Sequence, residues 1–187
     1  MNDAPRIVGF GGTFAPVSSS LHALDAVLAA AAEEGASTTR IDAGSLDLPM
    51  YAWGASSAKA DAFVDAMYAA DGLVWVSPLY HGTVSGLFKN ALDWLELLAK
   101  RTPAYLSNKP VGLVAVAAGA HSLGAITTME QIARALRAYT VPLVVPIQRS
   151  GEVFDAEGRV RDERVDLQLR ALGRDVTRAA RALASMR

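Results

Sequence analysis

The chain has 187 residues, 51% of them hydrophobic and 20% charged, with 19 acidic against 18 basic side chains and a net charge of -1. That length fits one domain with a core of its own, and the charge balance gives no electrostatic ground for a nucleic-acid partner. With no cysteine, a disulfide framework, thiolate metal ligands and thiol redox chemistry are excluded; no metal site is read, and any redox role needs a cofactor.

The opening residues 1–6 do not resemble a signal peptide, and no apolar run approaches the roughly 18 residues of a membrane span, so a cytoplasmic protein without membrane contact is expected. Residues 7–10 form the first strand-like apolar run. A loop follows, Gly11-Gly12-Thr13-Phe14-Ala15-Pro16-Val17-Ser18-Ser19-Ser20, and then a helical stripe of Leu21, Leu24, Val27, Leu28 and Ala31 with Ser20 as a natural cap. The loop is suited to an anion: Thr13 and Ser18 to Ser20 offer hydroxyls, the glycines let backbone N–H groups approach, and the helix directs its partial positive end at the same spot.

No Lys-Ser or Lys-Thr pair opens the helix, so this is not a Walker A loop. A dinucleotide fingerprint would read Gly9-x-Gly11-x-x-Phe14, with a bulky phenylalanine where close helix packing needs glycine. Asp42 falls about thirty residues past the glycines, instead of the roughly twenty at which that fingerprint places its acid. Two readings remain open, a hydroxyl-rich phosphate loop of the kind a flavodoxin-like fold uses for flavin mononucleotide, and a plain turn followed by a helix cap.

A second strand is expected around residues 38–41. The excursion at 43–57 carries Met50, Tyr51 and Trp53, apolar for a loop, and is expected to cover a ligand or a neighbouring subunit. A helix over 58–70 presents Phe63, Val64 and Met67. The third strand, 73–76, leads into Ser77-Pro78-Leu79-Tyr80-His81-Gly82-Thr83-Val84-Ser85-Gly86 and a helix over 87–100 that buries Leu87, Ala91, Leu95 and Leu98. The fourth strand, 111–116, leads into Ala117-Ala118-Gly119-Ala120-His121-Ser122, whose small residues admit a flat ligand to the main chain, and a helix over 123–138.

The last strand, 141–147, contains Pro142 and Pro146, which place it at a sheet edge, while Pro110 can begin its strand. A second excursion spans 151–161. The final helix repeats Val165, Leu169, Leu172, Val176, Ala179 and Leu183 on one face, with Arg170, Arg174, Arg178 and Arg181 on a solvated one. Alternating strands and helices predict a doubly wound α/β fold: five parallel strands in the order 2-1-3-4-5 with helices on both faces. The ligand loops are then those after Phe10, Val76 and Val116.

Three segments carry a resemblance to the NAD(P)H-dependent FMN reductase family, of flavodoxin-like fold. They are Gly11-Gly12-Thr13 with its downstream serines, the stretch 70–80 (ADGLVWVSPLY), and 85–93 (SGLFKNALD). The similarity runs from residue 6 to about 148, and it is nearest to the reductases that feed sulfonate monooxygenases, which have a similar Ser-rich loop and an Ala-His pair like Ala120-His121. Where many members carry an arginine in the first loop, this chain has Phe14 and Ala15.

The resemblance implies phosphate contacts at Thr13, Phe14, Ser18 and Ser20, and isoalloxazine contacts at Pro78, Leu79, Tyr80, His81, Gly82 and Thr83. It places Gly119 near the ring or the ribityl chain. It further implies one flavodoxin-like FMN-binding domain over residues 1–187, FMN with NADPH or NADH as cofactors, a flavin-dependent monooxygenase as partner, and a homodimer or homotetramer. Tyr80 is the favoured ring contact. His81 and His121 read as surface loop histidines ahead of direct chemistry, Lys89 as a helix-face cation or a phosphate neutraliser, and Trp75 and Trp94 as core or subunit-contact residues.

The chemistry implied is hydride transfer from nicotinamide C4 to flavin N5, which asks the protein for stacking, alignment and N–H donors near flavin N1 and O2, with no acid–base dyad. Two alternatives stand beside it: an FMN-bound quinone or azo reductase, and a flavodoxin-like electron carrier or binding module, against which the near-neutral charge speaks. A phosphorelay receiver would need acidic residues where this chain has Gly11-Gly12 and Ser77-Pro78.

Overall fold

The computed structural model describes residues 4–15 and 17–184. Its strands are β1 (Arg6–Gly11), β2 (Ser37–Asp42), β3 (Gly72–Tyr80), β4 (Thr83–Val84), β5 (Pro110–Val116) and β6 (Tyr139–Ile147). The main sheet is parallel in the order β2-β1-β3-β5-β6, and β4 pairs antiparallel with β3 alone. With that two-residue strand set aside, the order is the expected 2-1-3-4-5. Pro110 opens β5, and Pro142 and Pro146 lie on the edge strand β6, where a missing N–H is tolerated.

Helices cover both faces: α1 (Ser19–Glu33), α2 (Ala43–Leu46), α3 (Ala58–Ala69), α4 (Gly86–Asp93), α5 (Leu123–Ala135), α6 (Ser150–Val153) and α7 (Glu163–Ala184). Successive β3 side chains point to opposite faces. Leu73 and Trp75 enter a core with Phe10, Phe63, Phe88 and Met129, whereas Val74 and Val76 enter a second core with Leu24, Val27, Leu172 and Val176. Burial on both faces is why the strand reads as an unbroken apolar run. In the first core the Phe10 ring stacks on Phe88 at 4.9 Å between centroids and tilts against Phe63 at 5.0 Å.

Several boundaries move from the sequence reading, each for a local reason. Ser18, not Ser20, caps α1, its Oγ accepting from Leu21 N at 3.3 Å. The helix expected over 87–100 is α4, capped by Ser85, followed by a 3-10 helix over Trp94–Leu98. The helix expected to reach 138 ends at Ala135, because Arg137 turns left-handed (φ 63) and Ala138 N donates back to Ala133 O. β3 runs on to Tyr80, so the first half of the expected second loop is strand.

The excursion at 43–57 holds α2 and an extended stretch fastened to α4. Asn90 accepts from Tyr51 N at 2.8 Å and donates to Pro49 O at 3.1 Å, Trp94 Nε1 donates to the same carbonyl at 3.0 Å, and the Tyr51 and Trp94 rings meet edge to face at 5.4 Å. Met50 and Trp53 are left 80% and 87% exposed on the outer side. Replacing Asn90 by alanine removes both amide bonds and is expected to destabilise the chain by about 1–2 kcal/mol. Limited proteolysis should then cleave faster within 47–57, and an unchanged cleavage pattern would refute the tether.

Helix α7 crosses α1 with its arginine face partly solvated and partly paired. Arg170 reaches Glu33 at 3.1 Å and Asp166 at 3.0 Å, and Arg178 reaches Glu34 at 3.0 Å. The hydrogen bond from Arg178, with the charges of Arg178, Arg181 and Arg174, holds the Glu34 carboxyl below its ordinary value of 4.5. A carboxyl lowered in the folded state stabilises above its unfolded pKa, and that contribution is lost as pH falls through the folded value. Urea melts of Glu34→Gln are therefore expected to show a shallower loss of stability below pH 4.5 than the parent chain. Among the described residues no helix is long and apolar enough to cross a membrane.

Candidate cofactor site

The loops singled out in the sequence all emerge at the carboxyl ends of adjacent strands, where open α/β sheets bind ligands. Gly11 stands opposite Val76 in the β1–β3 register, and a Cβ there would lie 2.5 Å from the Val76 carbonyl oxygen. Gly12 has φ +112, and a Cβ on it would meet Asp42 Oδ1 at 2.6 Å. Asp42 Oδ1 also accepts from Gly44 N at 2.8 Å, and the Thr13 carbonyl lies against Gly44. The first loop is thus moulded on the end of β2, with glycine required where the chain turns and where it passes β3.

Beyond the turn, the α1 terminus supplies donors. Leu21 N and His22 N both donate to Ser18 O, so the N–H groups of Ser19 and Ser20 precede the first intrahelical bonds and need an acceptor from outside. Ser18 and Ser20 are buried, Thr13 is half-buried with its Oγ1 accepting from Ala15 N at 2.9 Å, and the Phe14 ring is 75% exposed. Hydroxyls, free N–H groups and the positive end of a 15-residue helix make a donor set that fits a phosphate without a cationic side chain.

The second loop is a two-residue hairpin. Tyr80 pairs with Thr83 across His81 (φ 50) and Gly82 (φ 89), the left-handed pair that a tight β-turn of this twist demands. Pro78 is buried, Leu79 half-buried, and Tyr80, His81, Gly82 and Thr83 exposed. Buried Ser77 fixes its base, the Oγ accepting from Ser85 N at 3.2 Å and donating to Pro78 O at 2.9 Å, while Ser85 Oγ accepts from Phe88 N at 3.2 Å. The tip rests on α5: a Cβ at Gly124 would lie 2.1 Å from Gly82 O, and the Thr83 and Thr128 hydroxyls share a 2.9 Å hydrogen bond.

Gly119 in the third loop is exposed with open space where a Cβ would stand, and its carbonyl accepts from Arg149 N at 3.0 Å. Ser122, at the start of α5, is fully buried with its Oγ unpartnered. The second and third loops are therefore joined through α5, and the third is joined to the end of β6. Pro16 lies outside the described residues. Lys89 pairs with Asp93 one turn along α4, and Trp75 and Trp94 are fully buried, so the two tryptophans stand as core residues.

Sequence reasoning passed over the residues that hold the loops in place. Ser77 and Ser85 were visible only as part of a motif, and Thr128 lies in mid-helix 45 residues from its partner with no local signal. Asn90, 39 residues from the backbone it fastens, is of the same kind.

A family profile described as NADPH-dependent FMN reductase matches residues 5–151. The chain is 28% identical over 157 residues to the NADPH-dependent FMN reductase ArsH of Rhizobium meliloti, covering 84% of this chain and 64% of that protein. It is 34% identical over 103 residues to the FMN-dependent NADPH-azoreductase of Staphylococcus aureus, covering 55% and 52%. Both matches span less than two thirds of those relatives' own length. Among solved structures, FerB, a flavoenzyme NAD(P)H:(acceptor) oxidoreductase from Paracoccus denitrificans, superposes with a TM-score of 0.75 at 17% identity over 95% of this chain and 97% of that one, a likeness of fold.

Proposed function

The chain belongs to the NADPH-dependent FMN reductase family, and from that premise we propose that it binds FMN across its three loops and reduces it with NADPH or NADH. The observation that carries the reading is the convergence, at the ends of β1, β3 and β5, of an uncharged donor-rich loop, an exposed tyrosine hairpin and an open glycine. Thr13, Phe14, Ser18 and Ser20 hold the phosphate, with the Ser19 and Ser20 N–H groups beside them, and Phe14 contributes through its backbone. Pro78, Leu79, Tyr80, His81, Gly82 and Thr83 bound the isoalloxazine, with Gly119 leaving room for it.

FMN supplies the hydride acceptor; this chain orients it, excludes water and offers backbone N–H groups to the ring. Oxidation of NADPH or NADH by the desalted protein, assayed with and without added FMN, tests the reading; absence of turnover with either coenzyme in the presence of FMN would overturn it. Ser18→Ala removes a phosphate donor and the α1 cap together. FMN affinity is expected to fall about tenfold and stability by about 1 kcal/mol, read by flavin fluorescence and by thermal melting.

A second reading, an azo or quinone reductase that keeps its FMN, is favoured by the azoreductase relative. Yellow colour retained through desalting and faster turnover with a quinone would select it. Electron transfer without nicotinamide turnover is disfavoured by the near-neutral net charge of -1. We further propose one FMN-binding domain over residues 1–187, a cytoplasmic location, release of reduced flavin to a monooxygenase, and a homodimer or homotetramer. Exposed Met50 and Trp53 support the last of these, and a fully active monomer in sedimentation would refute it.

A further inference from the structure

One strand out from the flavin loops lies a cavity of about 530 Å³, lined by Gln148 and Arg149 after β6, Glu152 in α6, and Asp162, Arg164 and Gln168 at the start of α7. Its volume falls in the range of small-molecule sites. Among nearby arginines Arg159 is committed to Asp155, Arg170 to Asp166 and Glu33, and Arg178 to Glu34, while Arg161 and Arg174 do not line the cavity. Arg149 and Arg164, by contrast, have no ion-pair partner among the described residues. The cavity has acids of its own, yet Asp162 is engaged as the α7 cap, accepting from Val165 N at 3.1 Å. Glu152 remains as an acceptor.

The backbone beside the cavity is hydrogen-bonded to the third flavin loop. Arg149 N donates to Gly119 O and Ser150 N to Ala117 O, both at 3.0 Å, and neighbouring strands lie about 4.8 Å apart. Arg149 itself is left-handed (φ 45), an uncommon conformation for a non-glycine residue. Two uncommitted guanidiniums and two side-chain amides therefore stand in one concavity beside the place where the flavin ring is proposed to lie. Guanidinium forks match phosphate oxygens.

We propose that this cavity binds the phosphorylated adenosine half of the reduced nicotinamide coenzyme, an inference that rests on the functional reading above. Arg149 and Arg164 bind the phosphate oxygens, Glu152 accepts from a ribose hydroxyl, and Gln148 and Gln168 supply further polar contacts. The nicotinamide end then extends past the end of β5 to the ring.

Calorimetric titration of the whole chain with adenosine 2′,5′-bisphosphate is expected to show one site that weakens with salt, and Arg149→Gln and Arg164→Gln should each weaken it about tenfold, the effect of one charge-assisted hydrogen bond. In turnover both variants should raise KM for NADPH by a similar factor with kcat and FMN affinity kept, and raise it less for NADH, which lacks the 2′-phosphate. No binding of the bisphosphate, or parental KM values in both variants, would overturn the proposal while leaving flavin reduction standing. If the parent chain oxidises neither coenzyme with FMN, the functional reading fails instead, and the calorimetric result still decides whether the cavity takes the bisphosphate.

Discussion

Replacing Gly124 by valine is expected to lower FMN affinity by about 10- to 100-fold while far-UV circular dichroism stays that of the parent. A Cβ at this position would lie 2.1 Å from the Gly82 carbonyl oxygen and 3.1 Å from its carbon, so backbone meets backbone and no side chain can yield. The hairpin tip must lift from α5, and with it Tyr80 and Thr83, breaking the 2.9 Å bond between the Thr83 and Thr128 hydroxyls. Overpacking of this kind costs about 1–3 kcal/mol. Concentrated on the hairpin, that cost appears chiefly as lost preorganisation of the flavin site, at about 1.4 kcal/mol for each factor of ten. Gly86→Ala is the control, since a Cβ there meets nothing within 4 Å and should leave affinity unchanged. Equal affinity in the parent and the Gly124 variant would mean that the hairpin does not position the flavin.

The periodic features of the chain were legible before the structure. Strand order followed from apolar runs at regular intervals and from Pro142 and Pro146, whose missing N–H groups suit only an edge; the doubly wound arrangement then located the ligand loops at the strand ends. The α7 stripe was equally plain, and Leu169, Leu172 and Val176 are fully buried. What sequence could not provide was how the loops are held. Ser77 to Ser85, Thr83 to Thr128 and Asn90 to Tyr51 are contacts between segments that no local pattern relates. The α1 cap was misplaced by two residues because three serines in a row offer the same hydroxyl, and only the backbone angles at Ser18 (φ -127, ψ 106) select one. Likewise, Ser77 to Tyr80 read as the start of a loop once the apolar run ends at Val76, while in the structure β5 and β4 supply the strand's partners as far as Tyr80.

The second large effect is expected at Gly173, far from the hairpin. This residue brings α7 against α1 so closely that a Cβ would lie 2.4 Å from Val27 O and 3.0 Å from Ala31 N. Helix propensity alone predicts that alanine here would stabilise the chain by about 1 kcal/mol. The contact opposes it, because both obstructing atoms belong to the α1 backbone and separating the helices loosens Leu169, Leu172 and Val176 from their shared core. Overpacking costs of about 1–3 kcal/mol exceed the propensity gain in most of that range, and valine forfeits much of the gain while adding two methyl groups. Gly173→Val is therefore expected to destabilise by about 3 kcal/mol, a fall in Tm of roughly 6–12 °C for a domain of this size. Because α1 carries Ser18 at its start, flavin affinity should fall in step with stability here, whereas at Gly124 the affinity loss comes from the hairpin itself, with a Tm loss of about 2–4 °C for each kcal/mol of overpacking. A Gly173 variant that melts with the parent would show that α1 and α7 can separate freely, and the phosphate loop would then owe its position to β1 and β2 alone.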